Sequence, residues 1–108
     1  TVIKLDGDKD VFGDGSVVLL ATPGHTPGHQ SLLLRLPRTG AVVLSGDLAH
    51  FADNFEQRRV PGFNFDKAQS LASMERIAAL VKAERAQLWL NHDSAQKARI
   101  VHSPRYYE

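Results

Sequence analysis

Apolar residues along this chain fall into short blocks separated by polar, turn-forming stretches. Residues 17–21 (VVLLA), 30–36 (QSLLLRL), 41–45 (AVVLS) and 87–90 (QLWL) are too short for helices and each reads as a strand. The first and third are continuous apolar runs, the pattern of strands buried on both faces. Residues 1–5 (TVIKL) predict a further short strand at the N-terminus. Residues 6–16 carry two Asp-Gly pairs and read as turns, and residues 37–40 (PRTG) read as a hairpin turn. Residues 48–65 form a long irregular stretch holding Phe51, Phe55, Phe63 and Phe65; loops of this length serve as lids or binding walls.

One helix is clear. Asp66 is an N-cap, and Gln69 three residues on completes a capping-box-like pair. Leu71, Met74, Ile77, Ala78 and Val81 then recur every three or four residues as one apolar stripe, which is core packing. A second short helix is expected near Ala95, and the tail, residues 103–108, is expected to lie on the surface through Tyr106 and Tyr107. Strands, helix, strand make a layered α/β arrangement, a single unit over residues 1–108. It is small for a sandwich, and its apolar faces need a partner.

Composition narrows the function classes. The 108 residues are 43% hydrophobic with a net charge of +1, so the chain folds and carries no electrostatic signature of nucleic-acid or membrane-surface binding. Its apolar runs are far shorter than a membrane span. The absence of cysteine excludes disulfides and thiolate metal sites and is consistent with a cytoplasmic location. The chain begins at Thr1 without a methionine, and the expectation is that it is a piece of something longer.

Three polar residues share one placement. His25, in the loop ATPGHTPGH, follows the first long strand; Asp47, in SGD, follows residues 41–45; His92, in NHD, follows residues 87–90. Singly, each reads as a turn or loop residue. Together, if those strands are neighbours, they meet at the rim where ligands bind in open α/β sheets, and two imidazoles with one carboxylate suit zinc, iron or manganese. Gly24, Gly28 and Gly46 allow close backbone approach, while Pro23 and Pro27 stiffen the loop. His29 is open between a ligand and a residue that holds a ligand or a loop carbonyl. His50, three residues past Asp47, is placed to orient substrate or carry a proton. Asp93 is expected to support the backbone around His92. Glu56, Arg58 and Arg59 read as a solvated face, and His102 as a surface residue.

TPGHTPGH, SGD and NHD in this order resemble the second half of the metallo-β-lactamase superfamily. With QSLLL and the phenylalanine-rich stretch after SGD, the chain is most similar to the N-acyl homoserine lactonases. The resemblance covers nearly all of the chain from Val17 onward. It implies an αββα sandwich of which this chain is the C-terminal half, and a site for two metal ions, usually zinc, though other divalent transition metals are compatible. By motif match His25 binds the first metal, Asp47 bridges both and His92 binds the second. A metal-bound hydroxide then opens a lactone, with His50 as a further catalytic or substrate-contacting residue and Phe51, Phe55 and Phe63 as lining for an acyl pocket. At least one of these phenylalanines is expected in the core instead.

The chain departs from the family in three places. The HxHxDH motif, which supplies four ligands, is absent. His50 stands where the lactonases often carry tyrosine, and Asn91 where glycine commonly precedes the last histidine. The missing N-terminal half is therefore an expected partner, beside a small lactone or ester, and the piece alone is expected to be weakly active or inactive. Two other readings remain at this point. One is a glyoxalase II-like thioesterase or other ester hydrolase. The other is a non-catalytic interaction domain that pairs with a complementary half or its own copy through sheet edges.

Overall fold

A computed structural model describes residues 1–108. Five strands form one sheet in the order β1 (Lys9–Asp10), β2 (Val17–Ala21), β3 (Gln30–Leu36), β4 (Gly40–Leu44) and β5 (Gln87–Trp89). The first three pairings are antiparallel and the last, β4 with β5, is parallel. A parallel pair needs a long crossover, and this one runs through a 3-10 turn (Gly46–Leu48), α1 (Ala52–Glu56) and α2 (Lys67–Glu84). A last helix, α3 (Ser94–Arg99), follows β5.

The pairing fixes the polarity of every strand. Because β3 runs opposite to both neighbours, β2 and β4 point the same way, and β5 joins them. The C-terminal ends of β2, β4 and β5 therefore lie at one rim, although β3 separates the first from the second.

Register divides the sheet into two faces. Val18, Leu33, Val43 and Leu88 are successive cross-strand partners on one face. With Leu20, Leu48, Ala49, Met74, Ile77 and Leu90 they build the core against α2. The helix forms as predicted: the Asp66 carboxylate accepts the Gln69 N–H at 2.9 Å. The other half of the expected box is replaced, since the Asp66 N–H donates to the Gly24 carbonyl at 2.9 Å. Of the predicted stripe, Met74 and Ile77 are fully buried, while Leu71 and Val81 are partly covered; Ser70 and Ser73 are buried beside them, facing the Gly24 loop.

The opposite face carries Leu19, Leu32, Leu44 and Trp89 as one row of partners and Val17, Leu34 and Val42 as the next. No helix packs on it. All but Val42 remain half-buried. The chain's end returns here, with Tyr107 edge-on to Trp89 at 4.9 Å and the Arg38 N–H donating to Glu108 at 3.0 Å.

Two expectations are corrected. Residues 1–5 form no strand: Val2 and Ile3 are exposed, and β1 lies at Lys9–Asp10 instead. The reason is local. The Asp8 carboxylate takes the Ala21 N–H at 2.9 Å and pairs with Arg76, which ends the free edge of β2 before residues 1–5 can reach it. Strand β2 is also not buried on both faces, since Leu20 alone is fully buried. The stretch 48–65 contains the short helix α1, whose Phe55 packs against the core. No helix is long and apolar enough to cross a membrane.

Candidate metal centre

The rim gathers the residues that the sequence singled out. Asp47 lies in the 3-10 turn directly after β4, and its two carboxylate oxygens face different imidazoles. Oδ1 is 2.9 Å from His92 Nε2, and Oδ2 is 3.6 Å from His25 Nε2. The carboxylate is thus flanked by one ring nitrogen on each side. The His92 hydrogen bond, with the nearby His25, holds its pKa below the usual carboxylate value, so it is ionised at neutral pH.

Each histidine is oriented by a different part of the chain. His25 sits in the loop between β2 and β3, which is seated on the start of α2. The Phe65 N–H donates to the His25 carbonyl at 3.3 Å, and the Ser73 hydroxyl donates to the Pro23 carbonyl at 2.8 Å. Gly24 makes this seat possible: its φ is +141°, and a Cβ there would lie 2.4 Å from the Ser70 nitrogen. The His25 ring is set by Asn64, whose side-chain oxygen lies 3.2 Å from Nδ1. That bond places the proton on Nδ1 and leaves the Nε2 lone pair toward Asp47.

His29 resolves into the second of its two sequence readings, a residue that holds a ligand in place. Its Nε2 accepts the backbone N–H of Asp47 at 2.9 Å, and its Nδ1 meets the Thr22 carbonyl at 3.0 Å. Both nitrogens are engaged, so the ring presents none to a cation. Burial pushes its pKa down, consistent with a neutral ring that accepts one bond and donates another. Gly46, at φ +59°, gives it room: a Cβ there would come within 2.8 Å of His29 Nε2.

His92 follows β5 and is half exposed. Asp93 beside it caps α3 by accepting the Gln96 N–H at 2.9 Å and ties the Ala52 N–H at 3.0 Å, so it anchors the loop as expected. His50 stands nearer than its sequence position suggested. Its ring lies 4.7 Å from that of His92, and Asp47, His50 and His92 each offer a donor atom within 4.8 Å of the others. Phe63 stacks on His50 at 6.0 Å and meets His25 edge-on at 6.3 Å, and Phe51 meets His50 edge-on. Phe51 and Phe63 therefore line the mouth of the site, whereas Phe55 has gone to the core. Asn64 and Thr22 are the residues that sequence reading missed. Neither has a sequence signal, because Asn64 reaches His25 across 39 positions and Thr22 reaches His29 across seven.

The donor chemistry fits divalent metal. An ionised carboxylate flanked by imidazole nitrogens is the oxygen and nitrogen set that zinc, iron and manganese take. Residues 2–85 match the family model of the metallo-beta-lactamase superfamily. The chain belongs to this superfamily. It is 33% identical over 104 residues to the N-acyl homoserine lactonase AttM of Azorhizobium caulinodans, covering 96% of this chain and 40% of that protein. It is 37% identical over 102 residues to the N-acyl homoserine lactonase AiiA of Bacillus thuringiensis subsp. kurstaki, covering 94% of this chain and 40% of that one. Its fold superposes with a TM-score of 0.86, at 37% identity, on an N-acyl homoserine lactone hydrolase whose crystal structure holds N-hexanoyl-L-homoserine at the catalytic metal centre; the match covers 95% of this chain and 40% of that one. The chain thus spans about 40% of the length of these relatives. Its curated relatives are N-acyl homoserine lactonases, and its own sheet, helices and mixed α/β content are of the metallo-β-lactamase fold.

Proposed function

We propose that this chain is the C-terminal part of a metal-dependent hydrolase that opens N-acyl homoserine lactones, with His25, Asp47 and His92 as its metal ligands. One observation carries the reading: the Asp47 carboxylate lies between His25 on one oxygen and His92 on the other, as a carboxylate shared by two cations requires. Divalent ions at such a site supply Lewis acidity, which polarises a carbonyl and generates a nucleophile from water at neutral pH. Zinc suits the set best, since two imidazoles and a carboxylate are a common zinc ligand group.

The chain's own residues account for the remaining work. His29 holds the Asp47 backbone from below and Asn64 sets the His25 tautomer, so the donors are aimed before any ion arrives. Phe51 and Phe63 form an apolar wall at the mouth for an acyl chain, and the His50 ring between them is the donor nearest an incoming lactone carbonyl.

This chain offers one imidazole on each side of a shared carboxylate, too few donors to hold two ions tightly. The half-covered face of Leu19, Leu32, Leu34, Leu44 and Trp89 supports a second sheet as the missing layer, bringing further ligands of the HxHxDH kind. On this reading residues 1–108 are part of one sandwich domain and are weakly active or inactive alone.

The test uses the intact protein stripped with a chelator. Ring opening of an N-acyl homoserine lactone, followed by release of acid, should be lost and should return with zinc. Asp47→Asn should lower kcat/KM by at least about 100-fold. A thioester turned over faster than the lactone would transfer the site to the thioesterase class. No hydrolysis of either substrate after zinc is restored would sink the hydrolase reading.

A further inference from the structure

Asp47, His50 and His92 converge on one point, and the site as read above uses only two of them for metal. We propose that His50 is itself a metal ligand, so that Asp47, His50 and His92 form a three-donor cation site built by this chain alone. The inference rests on the reading of the rim as a metal centre and adds one ligand to it.

Geometry supports the addition. The three donor atoms lie within 4.8 Å of one another. Donors around one ion, with bonds near 2.0–2.2 Å, sit roughly 3.3 Å apart. Contraction by about 1.5 Å is all that binding demands, and turning the His50 ring supplies it. That ring is free to turn, because its stacking partner Phe63 is itself largely exposed and Phe51 touches it only edge-on. The hydrogen bonds point the same way. The rings of His25 and His29 are tied to Asn64 and Thr22, whereas neither nitrogen of His50 has a protein partner.

The chemistry agrees. Two imidazoles and one carboxylate are the protein ligands of catalytic zinc sites that keep an open position. An imidazole that binds a cation through one nitrogen keeps its proton on the other. His50 can therefore ligate and still donate to a substrate carbonyl, which tyrosine at this place can do only through a single oxygen. The ion on the His92 side gains a donor from this chain, while the ion on the His25 side does not. The two positions should then differ in affinity, with the His92 side filled first.

Cobalt(II) tests this directly. In the intact, chelator-stripped protein titrated with Co2+, every ligating imidazole that retains an N–H contributes one exchangeable proton resonance shifted outside the normal NMR range. His50→Gln should lose one such resonance and weaken Co2+ binding about tenfold or more, the least expected when a ligand rather than its supporting group is removed. His50→Tyr keeps an aromatic ring against Phe63 and should lose the same resonance, so a misfolded glutamine variant cannot decide the outcome. His102→Gln should lose none. If His92→Gln loses a resonance and both His50 variants lose none, His50 is not a ligand and this inference falls while the metal reading stands. If His92→Gln also loses none, the metal reading falls with it.

Discussion

Four histidines share the rim, and the partner of each ring nitrogen separates their roles. His25 and His29 lie on one stiff turn, four residues apart, yet one aims a lone pair at Asp47 and the other supports the Asp47 backbone. The difference lies in their neighbours: Asn64 engages one nitrogen of His25, whereas Thr22 and the Asp47 N–H engage both nitrogens of His29. Gly46 is the residue on which this second arrangement depends. Gly46→Ala forces a Cβ to 2.8 Å from His29 Nε2 and into a left-handed backbone that costs about 1–2 kcal/mol for a residue with a side chain. The variant should be destabilised by at least that amount in denaturant titration and should bind metal more weakly, because Asp47 loses its support. Unchanged stability and unchanged metal affinity would show that His29 does not hold the turn.

Among the elements, α2 links core and site. Its apolar stripe packs on the sheet while its N-cap and first two turns carry the His25 loop, through Asp66, Ser70 and Ser73. Asp66 is legible as a cap because an aspartate with Gln69 three residues on stands just ahead of the apolar stripe that begins at Leu71. Asp66→Ala should cost about 1 kcal/mol by loss of the bond to the Gln69 N–H. The Asp66 backbone bond to Gly24 survives that change, so the helix should loosen at its start while the fold persists. The measurement is the denaturation midpoint followed by far-UV circular dichroism, and a midpoint equal to that of the parent chain would remove the cap from the account. The short N-terminal strand was misread because an apolar run shows propensity without showing a partner, and Asp8 had already ended the available edge.

Over the whole molecule, the two faces of the sheet are unequal. One meets α2; the other presents Leu19, Leu32, Leu34, Leu44 and Trp89 with cover only from the chain's end. If a second sheet completes the sandwich, Leu32 becomes core. Leu32→Ala should then cost about 2–5 kcal/mol in the intact protein, the range for large-to-small changes in a packed interior. Urea titration of the intact protein measures it. A loss below about 1 kcal/mol would mean that this face stays open and that no second layer covers it.

Neighbours close in the chain set the local elements and where the polar residues fall after them. Apolar runs of five to seven residues, a capped helix and the polar residues after three strands are all set by neighbours close in the chain, where propensity and periodicity act. The choice among the polar residues belonged to tertiary structure. That His25, Asp47 and His92 meet follows from β2, β4 and β5 running in one direction, which pairing decides. The joining of His50 to Asp47 and His92, and the hold of Asn64 on His25, follow from how the 48–65 stretch folds over the rim. Only the nearness of His50 to Asp47 has a local signal, their three-residue spacing; the contacts of His50 with His92 and of Asn64 with His25 join side chains about 40 positions apart, and no local signal encodes them.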